Sequence, residues 1–467
     1  MRTVAVLSAL AAASAVHANP TQTSQQKPRA VSLEPITATG NAFFAGDKRF
    51  FVRGVAYQPG GSAADLDPLA DPEVCLPDIE KFKDLGLNVV RVYSTDNSKD
   101  HKECMDALAE AGIYVALDAN NPKYSINRAK PARSYNADYL QSVFATIDEF
   151  IKYPNTMAFF SGNEVIHDLA NTTLAAPFVK ATTRDMRSYI KARGYRKALV
   201  GYSAADVSTN RIQTAHYFNC GTEDERSDFF AFNDYSWCDT DYITAGWDKK
   251  VEAFTGYGLP IFLSEYGCTT NGRTFGEIEA LMSGDMTPVY SGGLMYEYTN
   301  ETNGFGILRI EGDNKAGEID LKQTGERVEL PEFASLSSAM VAYPAPTGDA
   351  GYTKTTNSVA CPTQDDHWAV EGTLLPAMPS DAKKYLTEGA GKGPGLKGVG
   401  SQDSGTDEVV EAQPGSGEVD APASSSSSTA TSSSAANGRT AMGPVDKAPF
   451  VISGIVVFFT LVGAIAL

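Results

Sequence analysis

Between residues 51 and 298, short apolar runs alternate with stretches whose apolar positions recur at helical spacing. The runs are Phe51–Tyr57, Asn88–Ser94, Tyr114–Asn120, Met157–Asn163, Ala198–Ser203, Phe229–Tyr235, Pro260–Tyr266 and Gly292–Tyr298. Each is rich in Val, Ile, Phe, Tyr or Leu and has the length of a buried strand. Helices are predicted at Pro77–Leu85, Lys99–Ala111, Asp138–Lys152, Ala175–Arg193 and Phe275–Ser283. Within Asp138–Lys152, Tyr139, Leu140, Val143, Phe144, Ile147, Phe150 and Ile151 share one helical face, which must be buried. Gly86, Gly112 and Gly194 fall where a helix stops ahead of the next strand. Buried strands separated by crossovers predict an α/β fold, a (β/α)8 TIM barrel over residues 25–375 with a short post-barrel extension. A doubly wound open sheet is the alternative. It is weakened because Tyr57-Gln58-Pro59-Gly60-Gly61, after the first strand, lacks phosphate-loop spacing.

The two ends break this pattern. Met1–Ala18 has a basic start at Arg2, an apolar stretch and the small-residue site Val16-His17-Ala18, the form of a secretory signal. Residues 380–436 are low-complexity. Lys392–Gly400 is rich in Gly and Lys, Ser401–Asp420 carries acids and no basic residue, and Ser424–Ser428 is unbroken serine. This composition predicts a disordered stalk. Residues 437–467 complete the chain with a mostly polar spacer and the apolar run Phe450–Leu467. Small residues, spacer and terminal apolar tail form a GPI-attachment signal, with Asn437 or Ala436 as the attachment residue. A transmembrane helix is the competing reading, but no basic stop-transfer residue follows the run.

The 467 residues carry 39 Lys+Arg against 57 Asp+Glu, a net charge of −18. Such a balance argues against nucleic acid as a partner, since little here would neutralise phosphates. The mix is Tyr-heavy, with 21 Tyr against 3 Trp, which suits wet surfaces needing both a ring and a hydroxyl. Cys75, Cys104, Cys220, Cys238, Cys268 and Cys361 are an even set in a chain with a secretory signal and read as three disulfides of open connectivity. No Cys/His cluster suggests a metal, and no cofactor is implied. Asn171-Thr172-Thr173 and Asn300-Glu301-Thr302 are glycosylation sequons.

In a TIM barrel the chemistry lies at the C-terminal ends of the strands. Those ends carry Tyr57-Gln58, Arg91 with Tyr93, Asp118 with Asn120, Asn163-Glu164, Asp206, Asn233 with Tyr235, Glu265-Tyr266, and Tyr296 with Tyr298. Glu164 ends the fourth strand and Glu265 the seventh, which face each other across the mouth. Such a pair suits glycoside chemistry: one carboxyl protonates the departing oxygen and the other attacks the anomeric carbon.

Gly162-Asn163-Glu164 and Ser264-Glu265-Tyr266-Gly267-Cys268 resemble the two signatures of retaining barrel glycosidases. Further matches are Arg53–Gly61, Asn88–Tyr93, Phe159–Glu164, Phe232–Cys238 and Ser291–Tyr298. With these, residues 30–375 resemble the fungal GPI-anchored β-1,3-glucanosyltransferases of glycoside hydrolase family 72. The signal, stalk and anchor signal fit the same architecture. Only Cys361 follows residue 268, so the cysteine-rich carbohydrate-binding module of some members is missing, and the cleft alone would hold glucan.

The resemblance implies Glu164 as acid/base, Glu265 as nucleophile and Asn163 on the sugar 2-hydroxyl. It implies Gln58, Tyr93, Asp118, Tyr235 and Tyr296 as subsite residues, with Tyr235 or Tyr296 also able to orient the nucleophile. Arg91 either keeps Glu265 ionised or forms a structural ion pair inside the barrel. The implied disulfides are Cys75–Cys104, Cys220–Cys361 and Cys238–Cys268. The implied partners are β-1,3-glucan donor and acceptor chains, bound by a monomer lipid-anchored outside the plasma membrane. The implied reaction cuts an internal β-1,3 bond and transfers the fragment to another chain. A hydrolytic endo-β-1,3-glucanase and a non-catalytic glucan-binding wall protein are the alternatives.

Overall fold

In the computed structural model, residues 33–312, 323–371 and 373–409 are described. The secretory signal, Asn437, the serine run and the apolar tail lie outside them. Three short antiparallel strands open the fold: β1 Ile36–Thr39, β2 Ala42–Ala45 and β3 Lys48–Phe50. Eight parallel strands follow: β4 Val52–Ala56, β5 Val89–Val92, β6 Tyr114–Asp118, β7 Thr156–Asn163, β8 Leu199–Ala205, β9 Phe229–Asp234, β10 Ile261–Tyr266 and β11 Tyr290–Met295. They close into a barrel in sequence order when β11 pairs with β4, Gly292 opposite Val52 and Met295 opposite Val55. The barrel excludes the open-sheet alternative.

Helices α1 Pro72–Asp84, α2 Lys102–Glu110, α4 Ala137–Phe150, α5 Ala176–Ala192, α6 Arg211–Asn219, α7 Trp247–Phe254 and α8 Glu277–Leu281 connect successive strands, with a one-turn α3 at Pro131–Ser134. Helix α1 starts at Pro72 rather than Pro77, because Asp71 caps it by accepting from the Glu73 amide at 3.0 Å and Pro72 fits the first turn. Helix α6 carries no clear amphipathic stripe and is not legible from periodicity, whereas α7, only eight residues long, buries Trp247, Lys250 and Phe254 on one face.

The period of two along each strand divides two cores. On β9, Phe229 and Ala231 point inward with Ala158, Phe160 and Phe262, while Phe230 and Phe232 face the helices. Phe43 of β2 packs into the inner core, 5.7 Å from Phe262 and 6.1 Å from Phe229 ring to ring. The N-terminal sheet therefore plugs the end of the barrel at which the strands begin. Its β1–β2 turn needs Gly40, at φ +58°, because a Cβ there would lie 1.8 Å from the Thr353 carbonyl oxygen.

After β11 come an antiparallel hairpin, β12 Leu308–Glu311 and β13 Glu326–Glu329, and helix α9 Pro331–Ala342. The chain then wraps back over the barrel. Trp368 is fully buried against Tyr217, with ring centroids 5.3 Å apart. Disulfides join α1 to α2 (Cys75–Cys104), the end of α6 to the wrapping segment (Cys220–Cys361), and the loops after β9 and β10 (Cys238–Cys268).

The stalk expected from residue 380 is corrected as far as residue 409. A 3-10 turn at Ser380–Ala382 and a helix α10 at Tyr385–Glu388 lead into a segment lying on α4 and the β6–α4 loop, with Ala382, Ala390, Leu396 and Ser401 buried. The glycines read as linker permit close approach: a Cβ on Gly393 would sit 2.2 Å from Asn97 Oδ1, and one on Gly395 2.4 Å from Asp96 Oδ1. Acids that lack basic neighbours in sequence find them in space, Asp403 at Lys130 (2.8 Å) and Asp407 at Arg133 (2.7 Å).

Candidate active site

Both glutamate-bearing strands are irregular just before the glutamate. Between β7 and β8 the register slips between Phe160 and Asn163, and between β10 and β9 it slips between Leu263 and Glu265. An extra residue in a strand bends it and re-aims the side chains that follow. Simple alternation from inward Phe262 would bring Ser264 inside and send Glu265 out. The bulge brings both to the interior.

Glu265 is 6% exposed. Its Oε1 accepts from the Tyr93 hydroxyl at 2.9 Å and from Arg91 Nη1 at 3.3 Å, and its Oε2 accepts from the Tyr235 hydroxyl. Burial is the largest influence and pushes its pKa up to about 7. Arg91 opposes that push, the charge of Glu164 adds to it, and the two phenol hydroxyls oppose it.

Arg91 is fully buried and forms a bidentate pair with Asp118, Nε to Oδ2 at 3.0 Å and Nη2 to Oδ1 at 3.1 Å. Its remaining nitrogen reaches the Ser264 carbonyl and Glu265. The guanidinium lies over the rings of Tyr93 (4.3 Å) and Phe160 (4.4 Å). Arg91 thus joins the structural ion pair and the contact with Glu265 in one side chain, and two carboxylates share one cation.

Glu164 occupies the left-handed region at φ +49°, uncommon for a residue with a side chain. The Glu164 amide donates to the Ser203 carbonyl at 2.9 Å, and Arg128 donates to the Glu164 carbonyl. Asn233 Nδ2 donates to Glu164 Oε1 at 2.9 Å and to Asn163 Oδ1 at 3.2 Å. The Ser203 hydroxyl donates to Asn163 Oδ1 at 2.7 Å and contacts Ser264 Oγ at 2.8 Å, while Ser264 donates to Asn233 Oδ1 at 2.9 Å. This hydrogen-bonded floor links the strand ends of the two glutamates. Asn163 has its carbonyl end held by Ser203 and Asn233, which turns its amide end away from them.

Tyr235, Tyr296 and Phe305 stand edge to face, with centroids 5.6–6.1 Å apart, and form an aromatic wall. A cavity of about 260 Å³ opens on the other side, lined by Tyr93, Asp118, Asn120, Asn163, Ser125 and Arg128 among others. A larger one, about 530 Å³, lies away from the carboxylates between α4 and the C-terminal segment. Among the described residues no group of three His, Cys, Asp or Glu side chains is placed to hold a metal.

The expected residues do not all converge. Gln58 is buried under the rim with its carbonyl accepting from the Tyr93 and Ser94 amides (3.1 and 3.0 Å) and its amide donating to the Leu66 carbonyl (2.8 Å). Its polar atoms serve the backbone and support Tyr93. Tyr235, and not Tyr296, reaches Glu265, and the Tyr296 hydroxyl lies 3.4 Å from Ser62 Oγ. Tyr57 and Tyr298 spend their hydroxyls on buried Asp78, and Asp206 pairs with Lys250 and Arg211. Asn171 is exposed and Asn300 half-buried. Sequence reasoning places Asn233 at a strand end without giving it a role, and does not select Ser203, Arg128 or Phe305. Asn233 carried a signal, as a polar strand end in phase with inward Phe229 and Ala231, whereas Arg128 and Phe305 lie on loops with no pattern.

A family profile described as glucanosyltransferase, glycoside hydrolase family 72, matches residues 26–329. The 1,3-beta-glucanosyltransferase gel1 of Aspergillus fumigatus is 59% identical over 368 residues, 78% of this chain and 78% of the relative. The 1,3-beta-glucanosyltransferase GAS5 of Saccharomyces cerevisiae is 48% identical over 380 residues, 80% of this chain and 75% of the relative. A Saccharomyces cerevisiae Gas2p mutant crystallised with laminaritetraose and laminaripentaose superposes with a TM-score of 0.68 at 35% identity, covering 75% of this chain and 76% of that one.

Proposed function

Because this chain belongs to the glucanosyltransferase family, glycoside hydrolase family 72, we propose that it breaks an internal β-1,3 bond of one glucan and joins the fragment to the non-reducing end of another, with Glu265 as nucleophile and Glu164 as acid/base. The chain is an enzyme, a 1,3-β-glucanosyltransferase. The observation that carries the mechanism is the setting of Glu265: a buried carboxylate held by two phenol hydroxyls and a guanidinium, on the same rim as a second, more accessible carboxyl.

In the first step Glu164 gives its proton to the departing glycosidic oxygen while Glu265 attacks the anomeric carbon, forming a glycosyl ester. In the second step the acceptor's 3-hydroxyl gives its proton to Glu164 and attacks the same carbon, which frees Glu265. Two displacements at one carbon retain its configuration. The charge of Glu164 pushes the pKa of Glu265 up, so a proton on Glu164 favours the ionised nucleophile. Asn163 holds the 2-hydroxyl through its amide end. The wall of Tyr235, Tyr296 and Phe305 stacks on sugar faces, and Tyr93 and Asp118 line the facing cavity.

Transfer prevails over hydrolysis when a bound acceptor is oriented better than water. Incubation with a reduced laminari-oligosaccharide tests this. Products longer than the donor support transfer, and only shorter ones return the endo-glucanase reading. A catalytically inactive Glu164→Gln variant that still supports normal wall assembly would return the non-catalytic reading.

The enzyme acts outside the cell, a location supported by three disulfides. Its signal is removed near Ala18, it carries sugar on exposed Asn171 and on Asn300, and it is a monomer held to the membrane by a lipid at Asn437. Release from membranes by a phosphatidylinositol-specific phospholipase checks the anchor, and retention after that treatment rejects it.

A further inference from the structure

The C-terminal segment crosses α4 and ends against the β6–α4 loop, residues 119–136, which forms the cavity wall beside Glu164. Gln402 stands at the junction. Its amide donates to the Pro122 carbonyl at 3.0 Å and to Ser125 Oγ at 2.8 Å, and its carbonyl accepts from Asn127 Nδ2 at 3.2 Å. Neighbouring Ser401 is fully buried; its amide donates to the Lys123 carbonyl at 3.0 Å and its carbonyl accepts from Asn136 Nδ2 at 2.7 Å. Pro122 and Ser125 line the cavity directly.

We propose that Gln402 is a positioning residue for glucan binding: it fixes the β6–α4 loop and, through it, the subsites flanking the acid/base. The inference rests on the function proposed above. The loop has little regular structure beyond one-turn α3, and such loops are mobile unless tied down. Three hydrogen bonds from one side chain, distant in sequence, set the cavity wall before glucan arrives, which lowers the ordering cost of binding. The surface pairs Lys130–Asp403 and Arg133–Asp407 are solvent-exposed and contribute little; beside the backbone ties of Ser401 and Gly405 and the Lys123 contact with the Leu396 carbonyl, Gln402 is the side chain of the segment that holds the cavity-lining part of the loop.

Full-length Gln402→Ala and Gln402→Glu are compared with wild type on laminari-oligosaccharides of increasing length. Gln402→Ala is expected to raise KM for long donors about fivefold with kcat within about twofold, because uniform binding is lost and not chemistry. Short donors and the melting temperature should hardly change. Gln402→Glu keeps the Asn127 contact and should fall between the two, and Arg133→Ala should behave as wild type. An unchanged KM on long donors overturns the proposal. So does a parallel fall in kcat and melting temperature with no dependence on length, the mark of a merely structural residue. Calorimetric binding of the same oligosaccharides to Glu164→Gln, with and without Gln402→Ala, reads the loop without turnover. Weaker binding of long chains only supports the proposal even if the wild type proves to hydrolyse rather than transfer, and equal binding rejects it.

Discussion

Glu265 and Glu164 end strands of one barrel, and a bulge precedes each, yet the protein builds opposite settings around them. Glu265 is buried, with both oxygens occupied and a cation against one. Glu164 is half-buried on a left-handed residue, with Asn233 donating to its carboxylate. A nucleophile gains from being fixed in line with one carbon. An acid/base must pass protons to successive sugars and needs access. In the mechanism proposed above, two residues of one type thus receive two tasks from their surroundings.

The strongest way to break the comparison is to remove each carboxylate. Glu265→Gln should lower kcat/KM at least about a thousandfold with every donor. Glu164→Gln should do the same for natural glucan but still release fluoride in a fast first step from a glycosyl fluoride, whose departure needs no acid, before stalling in the second step for want of a base. Mass spectrometry of that variant should find sugar on the Glu265 peptide; sugar elsewhere, or none, would reverse or abolish the assignment.

Next in size is the cation. A nucleophile must be ionised, so the acidic limb of the wild-type kcat/KM profile should lie near pH 7. Arg91→Met removes an influence that lowers the pKa of Glu265, so the limb should move to higher pH, with a loss of about a hundredfold that is steepest in acid. A limb that stays in place would mean that Arg91 serves only Asp118.

Tyr235→Phe removes one donor from Glu265 Oε2. A loss of about tenfold in kcat and a smaller upward move of the same limb are expected. The matching change at Tyr296 should alter KM instead.

The smallest effect on activity belongs to His101, buried between Asp67 (2.7 Å) and Glu149 (2.9 Å). Burial pushes its pKa down, but the two carboxylates prevail and hold it up at about 9. A folded pKa raised from 6.5 gives stability that is full below pH 6.5 and lost as pH rises through 9. His101→Gln should therefore cost roughly 3 kcal/mol at pH 6 and much less at pH 10 by urea denaturation. A gap that does not change with pH would show that the imidazole is neutral.

The strands were legible because buried parallel strands write continuous apolar runs, and the two glutamates because they end such runs. Alternation alone would have turned Glu265 outward; the register slip that brings it in depends on neighbouring strands and leaves no mark in the local sequence. Gln58 and Asp118 look alike at a strand end, yet only contacts from Leu66 and Arg91 show that one serves a backbone and the other a cation. Residues 392–403 were misread for a related reason. Composition reports what a segment can bury, whereas this one is held by hydrogen bonds that glycine's missing side chain lets form.

Phe43 and its small sheet stopper the far end of the cylinder, which makes the catalytic chamber a cul-de-sac. A polysaccharide cannot be threaded through it like yarn through a needle and must lie across the opening, entering and leaving sideways.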